Sequence, residues 1–321
     1  MRLFVNANYD FIGFRRIAYA VTGAILLLGI VSLAVNGLKY SIEFTGGTLV
    51  QIQTTKPMDA ALIRSGLDAQ GLKGAEIQSF GSAQAFVIRA RLANTDVNAD
   101  NTQAAAAAVS HALDGALGAG TYKVMRAEAV GPKVGGELRQ KAFLAIFYSF
   151  FAVLIYLAWR FEWRFGLAAV VATAHDILTT VAFISIMRME VSLVVVGAVL
   201  SMVGYSLNDT IIIFDRVREN LHKYKREQFK HILNRSINET LPRSILTHGT
   251  SLSTLLALAV FGGEVIRPFA MVMFFGVFTG TFSSIYIAGP VLMAIEKRWP
   301  GADARGAKNV AAPLRKAPQG A

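Results

Sequence analysis

The sequence predicts an α-helical membrane protein of six spans, with one α+β domain inserted between the first span and the second. Three observations carry this. Hydrophobic residues make up 54% of the 321-residue chain and charged residues only 17%, against about 25% charged in an ordinary soluble domain. Six stretches approach the roughly 20 consecutive apolar residues that a bilayer crossing needs. Between the first two of them, Leu38 to Lys141 carries strand-like alternation and helical spacing of the kind found in soluble domains.

In chain order, 1–16 reads as a cytoplasmic N-terminus and 17–36 as the first span. Its apolar run, Ile17 to Val35, follows Arg15 and Arg16 and contains Ser32-Leu33-Ala34, as a signal peptide would. The run exceeds a signal core of about 7–15 residues, so it is read as an uncleaved anchor. The inserted domain is placed at 37–140. Gly47 to Thr54 alternates like a strand, Met58 to Gln70 has helical spacing, and Ala75 to Phe80 and Ala85 to Leu92 read as strands around a Gly-Ser turn. Asn101 to Leu117 is an alanine-rich helix and Thr121 to Val130 a last strand. The order βαββαβ is that of the ferredoxin-like split βαβ arrangement.

Spans two to six are placed within 141–296, at about Ala142 to Trp159, Phe165 to Met187, Val191 to Phe214, Ser244 to Phe261 and Phe269 to Ile295. The Arg160 to Arg164 link carries two arginines and Trp163, and a basic loop is expected at about 215–243. The links at 188–190 and 262–267 are near neutral. Positive residues collect on cytoplasmic loops, so both termini are expected in the cytoplasm of a multi-pass inner-membrane protein. The tail at 297–321, rich in Gly, Ala, Pro, Lys and Arg, is expected to be disordered.

The net charge of +11 follows the same rule. Its excess lies at the N-terminus, between Arg216 and Arg243, and after Lys297, whereas charges nearly cancel between Lys39 and Arg139. That is the signature of membrane orientation and argues against a nucleic-acid partner. The chain has no cysteine, which excludes disulfides and thiolate sites. No HExxH or P-loop pattern appears, so no cofactor or metal is expected, and no nucleophile–base pair suggests an enzyme.

Charges inside spans cost about 2.5–3.5 kcal/mol each on insertion scales, so their presence marks structure or function. Asp176 lies midway along the third span, Asp209 toward the cytoplasmic end of the fourth, and Arg243 opens the fifth. Gly197, Ser201, Gly204 and Asn208 share one face of the fourth span; Ser244, Thr247, Ser251 and Thr254 share one face of the fifth, with His248 adjacent. Gly276, Gly280 and Ser284 form a small-residue ridge on the sixth. These faces are expected to pack together with polar groups inward. Two readings stand for the ionisable groups. His175 and Asp176, and Asp209 with Arg243, either brace helices or form a proton or ion relay.

Ser41-Ile42-Glu43-Phe44-Thr45-Gly46-Gly47-Thr48, Val130 to Leu138, Ala174-His175-Asp176, Gly204 to Thr210, Phe214 to Asn220 and Arg243 to Thr250 occur in order along the chain. Together they resemble the SecF branch of the SecD/SecF protein-export family, within the resistance-nodulation-division architecture. The resemblance implies a subunit that works with a SecD-like partner and the SecYEG channel in the lipid bilayer. It would use the proton motive force to draw preproteins across the membrane. It also implies relay roles for Asp209 and Arg243, with Asp176 a further candidate and Asn208, Ser201, Thr247, His248 and Ser251 in support. Glu43 stands where the family commonly has Asp, and its role is open, as is the choice between proton and sodium. Gly37, Gly131, Gly135 and Gly136 are candidate hinges between domain and spans. The alternatives are half of a small-molecule or lipid exporter of the same architecture, and a translocon assembly factor without ion coupling.

Overall fold

The computed structural model describes residues 7–72, 75–80, 82–90 and 102–301. The first apolar run forms α1 (Arg15–Asn36), which ends because Gly37 turns into the left-handed region, φ 65°, and its N–H bonds Leu33 O at 2.9 Å. A short strand β1 (Lys39–Tyr40) and one helical turn α2 (Ile42–Thr45) follow. Then come β2 (Gly47–Thr54), α3 (Ala60–Ala69), β3 (Glu76–Phe80), β4 (Ser82–Ala90), α4 (Thr102–Leu117) and β5 (Tyr122–Val130). The rest is helical: α5 (Pro132–Arg160), α6 (Trp163–Ile186), α7 (Leu193–Lys223), α8 (Phe229–Phe261), α9 (Gly263–Ser283) and α10 (Gly289–Arg298), with a two-residue β6 (Glu190–Val191) before α7 and a π-helical turn, Ser284–Ala288, between α9 and α10. Six helices are long and apolar enough to cross a membrane, the last running through the π turn from Val265 to Arg298.

The chain divides into two compact units. One comprises 39–147 with 190–193, and its four-stranded antiparallel sheet has the order β3-β4-β2-β5. Alternation along β2 places Thr48, Val50, Ile52 and Thr54 on the buried side. Val50, Ile52, Phe86 and Ile88 from the sheet meet Ile63 and Leu67 of α3 and Val109 and Leu113 of α4 in one apolar core. Asp59 caps α3 by accepting from Ala61 N at 2.9 Å. Each expected strand and helix of the domain is present with ends shifted by up to three residues, the largest shift being β4, which starts at Ser82 rather than Ala85; the expected end of that strand at Leu92 lies outside the described residues. The short strands add a feature the sequence did not reveal. Lys39 pairs with Glu190 and Tyr40 with Val191, in parallel, so the link between α6 and α7 contributes a strand to this unit.

The other unit comprises residues up to Leu38, 148–189 and the chain from Val194 onward. Helices α6 and α7 are mostly buried within it. Gly29 of α1 meets Ala182 of α6 so closely that a Cβ would fall 2.2 Å from its methyl. The expected basic loop at 215–243 is corrected. Helix α7 runs on to Lys223 and α8 starts at Phe229, leaving only 224–228 between them. The charged residues of this stretch keep access to solvent and pair between the two helices. Arg216 donates to Glu239 at 2.6 Å, Asn220 to Glu239 at 2.7 Å and to Ser236 at 3.0 Å, and the Arg235 guanidinium lies 4.0 Å from the Tyr224 ring centre. Residues before α1 lie along α8. Asn238 exchanges hydrogen bonds with the backbone of Tyr9, and Asn234 accepts from Ile12 N and donates to Asp10. Glu296 of α10 is buried and paired with Arg164 of α6 at 3.1 Å. The tail expected to be disordered lies, after Gly301, outside the described residues.

Candidate functional site

Two carboxylates sit inside the helical unit, and their surroundings differ. Asp176 is wholly buried. Its Oδ2 accepts from Ser206 Oγ of α7 and from Ser283 Oγ of α9, the latter at 2.8 Å. Its Oδ1 accepts from His175 Nδ1 at 2.9 Å. With Nδ1 donating, His175 Nε2 is left to accept from Thr22 Oγ1 of α1 at 3.4 Å. Three helices, α6, α7 and α9, therefore meet at one carboxylate, α1 joins through His175, and both carboxylate oxygens are satisfied. The sequence pointed to Asp176 and His175 but gave no sign that Ser206 and Ser283 would serve them. Serines within apolar spans were the available signal, and which of them face the carboxylate depends on helix rotation.

Asp209, on α7, is also buried. Its Oδ1 accepts from Ser244 Oγ of α8 at 2.6 Å, while its Oδ2 has no hydrogen-bond partner among the described residues. His248 Nδ1 donates to Ser244 O at 2.7 Å, and its ring packs edge-on against Tyr205 with centroids 5.5 Å apart. Tyr205 Oη hydrogen-bonds Ser251 Oγ at 2.6 Å and donates to Thr247 O at 3.2 Å. Thus Ser244 bonds Asp209 itself, while Thr247 and Ser251 bond Tyr205, one turn earlier on α7. Arg243 does not reach the carboxylate. It is exposed, and among the described residues no ion pair joins it to Asp209.

The expectation that all polar faces point inward is corrected. Ser201, Gly204 and Asn208 of α7 are exposed, as are Arg243, Thr250 and Thr254 of α8. They form polar strips on the outer surfaces of these two helices. A helical face tells which residues point the same way, and leaves open whether the covering comes from the same chain. The small-residue ridge does pack inward. A Cβ on Gly276 would fall 2.2 Å from Met202 Cγ, and one on Gly280 would fall 2.8 Å from Ser206 Cβ, so α9 lies directly against α7. Next to this contact, Ser284 in the π turn shares a 2.8 Å hydrogen bond with Thr210. π turns inside α-helices recur at functional sites.

Of the candidate hinges, Gly37 closes α1 and Gly131 precedes α5. Gly135 and Gly136 lie within α5. A Cβ on Gly135 would come within 2.9 Å of Gly46 N, so this glycine permits a close approach of backbones. Gly46 and Gly47 themselves adopt φ of 72° and 131°, where only glycine is unstrained. Among the described residues no group of three or more His, Asp and Glu could hold a metal.

Residues 111–298 match the family model described as protein export membrane protein SecD/SecF, C-terminal, and 31–58 match the SecD/SecF GG motif. The chain is 57% identical to the protein translocase subunit SecF of Gemmatimonas aurantiaca, over 94% of this chain and 92% of that protein. It is 41% identical to that of Magnetococcus marinus, over 92% and 95%. The crystal structure of SecDF, a translocon-associated membrane protein from Thermus thermophilus, superposes with a TM-score of 0.79 at 33% identity. That match covers 93% of this chain and 40% of the longer one. The super-membrane-facing form of SecDF gives 0.65 at 32% identity, over 92% and 39%.

Proposed function

The chain belongs to the SecD/SecF family of protein export membrane proteins, and from that premise we propose that it is the SecF-type subunit of an accessory complex that pulls preproteins through the SecYEG channel. A SecD-like subunit is its partner in the membrane. The sheet unit, with helices over one face in the ferredoxin-like manner, lies on the extracytoplasmic side, and both termini lie in the cytoplasm. The proton motive force drives the cycle, since one charge moved down the membrane potential releases about 2.3 kcal/mol per 100 mV.

The observation that carries this reading is the carboxylate of Asp209. It is buried within a helix long and apolar enough to cross a membrane, one oxygen is held by Ser244, and the other has no partner among the described residues. A free, buried carboxylate oxygen in a membrane is unfavourable unless it takes a proton or meets a cation. The exposed strips around Ser201, Asn208, Arg243 and Thr254 are surfaces for the SecD-like bundle, because polar groups left against lipid are disfavoured and interhelical hydrogen bonds satisfy them. Closure of that interface brings Arg243 and partner groups toward Asp209, and loss of the proton follows. Asp176, held by three donors, acts as a brace that fixes α6, α7 and α9 around the site.

The test is Asp209→Asn in proteoliposomes holding the SecD-like partner and the channel. The amide is nearly isosteric, so assembly persists while proton exchange stops. Export without a gradient is expected at the wild-type rate, and its stimulation by a gradient is expected to vanish. Stimulation that survives at wild-type strength overturns the relay.

A further inference from the structure

The Glu-Phe-Thr-Gly-Gly segment at 43–47 contains one residue to which the relay assigns no task. Glu43 lies in α2, and its Oε2 accepts from Leu193 N at 2.6 Å and from Ser41 Oγ at 3.3 Å. Leu193 is the first residue of α7. The first amides of a helix lack intrahelical partners, and the helix dipole favours an anion there. The carboxylate of Glu43 supplies both, from 150 residues away in sequence.

The contact is not solitary. Ser41 N donates to Val191 O at 2.9 Å, continuing the parallel pairing of Lys39 with Glu190 and Tyr40 with Val191. Glu190 forms an ion pair with Arg89 of β4, and Glu76 of β3 lies 3.5 Å from Lys39 and 3.6 Å from Arg89. Gly135 of α5 packs against the backbone of Phe44 and Gly46 in the same segment. The strand leading into α7 is therefore bonded to the sheet unit through backbone, ion pair and carboxylate before the helix begins.

We propose that Glu43 is a positioning residue that clasps the start of α7 to the sheet domain, so that displacement of α7 and of that domain are one motion. The proposal rests on the reading above that Asp209, sixteen residues further along α7, couples the gradient to export. The glycine pair after Glu43 fixes the loop that aims its carboxylate. A connector of this kind converts a small rotation of a buried helix into movement of an attached domain, because a helix transmits displacement along its axis with little bending.

Two measurements on the full chain test it. Hydrogen exchange in detergent micelles reads the tie itself. Glu43→Ala is expected to speed exchange of the amides of Leu193 to Val196 on the order of tenfold, and Glu43→Gln, which keeps an acceptor oxygen, by less. Unchanged exchange in Glu43→Ala overturns the clasp whatever the transport assay gives. Gradient-stimulated export in proteoliposomes reads its consequence. Glu43→Ala is expected to lower stimulation on the order of tenfold, leaving gradient-independent export unchanged. A disulfide between Tyr40→Cys and Val191→Cys replaces the clasp covalently. Adjacent strands lie about 4.8 Å apart, within the span of a disulfide, and the chain has no other cysteine. Oxidation is expected to restore stimulation in the Glu43→Ala background, and reduction to remove it again. A folded Glu43→Ala protein with full stimulation, or one that the disulfide does not rescue, overturns the proposal. If the parent protein shows no stimulation at all, the relay reading fails while the exchange result still decides the clasp.

Discussion

The surroundings of Asp176 and of Asp209 are two solutions to one problem, a carboxylate held away from water. Around Asp176 every lone-pair direction that matters has a donor, from α7, from α9 and from its own helix. Around Asp209 one oxygen has a donor and the other has none. Satisfied buried polar networks rigidify a core. Half-satisfied ones leave a group whose best partner depends on conformation. Under the proposed function the difference separates a fixed centre from a site able to respond, although both residues look alike as intramembrane aspartates in the sequence.

Three substitutions test that contrast in stability and in transport. The largest loss of stability is expected for Asp176→Ala. It leaves the Ser206 hydroxyl and His175 Nδ1 without their acceptor, while Ser283 falls back on the Gly280 carbonyl at 3.1 Å. Each orphaned buried group costs about 1–3 kcal/mol, so thermal unfolding in detergent should shift down clearly, whereas Asp209→Asn should melt near the parent. Equal melting of the two variants would erase the distinction drawn here. An intermediate effect is expected for Ser244→Ala, which removes the single donor to Asp209 and keeps the carboxylate. Gradient-stimulated export should fall by about tenfold or less, since one such bond is worth roughly 1.4 kcal/mol, and the melting point should hold. Abolition of stimulation would move Ser244 from support into the relay.

The smallest effect belongs to the segment before α1. Asp10 has its pKa pulled below the ordinary value by the Asn234 side chain, then by Gly13 N–H, with Lys230 adding to both. A lowered carboxylate pKa means the docked state is favoured above the ordinary value of 3.8 and loses that advantage as pH falls through the lowered one. Exchange of the Ile12 and Gly13 amides should therefore quicken in acid relative to intrinsic rates, and Asp10→Asn should flatten that dependence. A pH profile identical in parent and variant would remove Asp10 from the docking.

Much of the architecture was legible in the sequence because its signals are local. Runs of apolar residues mark the spans, and period-two alternation at Gly47 to Thr54 marks β2 to the residue. The basic stretch after Asp215 was misleading in one respect, since charge suggested a loop where two helices continue. In the folded chain Arg216, Asn220, Ser236 and Glu239 answer one another between two helices, and the loop shrinks to 224–228. Likewise, the Ser201, Gly204 and Asn208 face of α7 was visible, but its exposure was not, because spacing fixes a direction without naming what lies there.

The sequence by itself determined the six spans, the inserted domain, the intramembrane carboxylates and the family to which they belong, because hydropathy, periodicity and ordered motifs are properties of neighbouring residues. Only the tertiary structure decided that Ser206 and Ser283 serve Asp176, that one oxygen of Asp209 is left without a donor, and that Glu43 reaches Leu193. Each of those facts joins residues at least 30 positions apart. A hydrogen bond is made within about 3 Å, and whether two distant side chains come that close depends on helix rotation and packing, which no local pattern encodes.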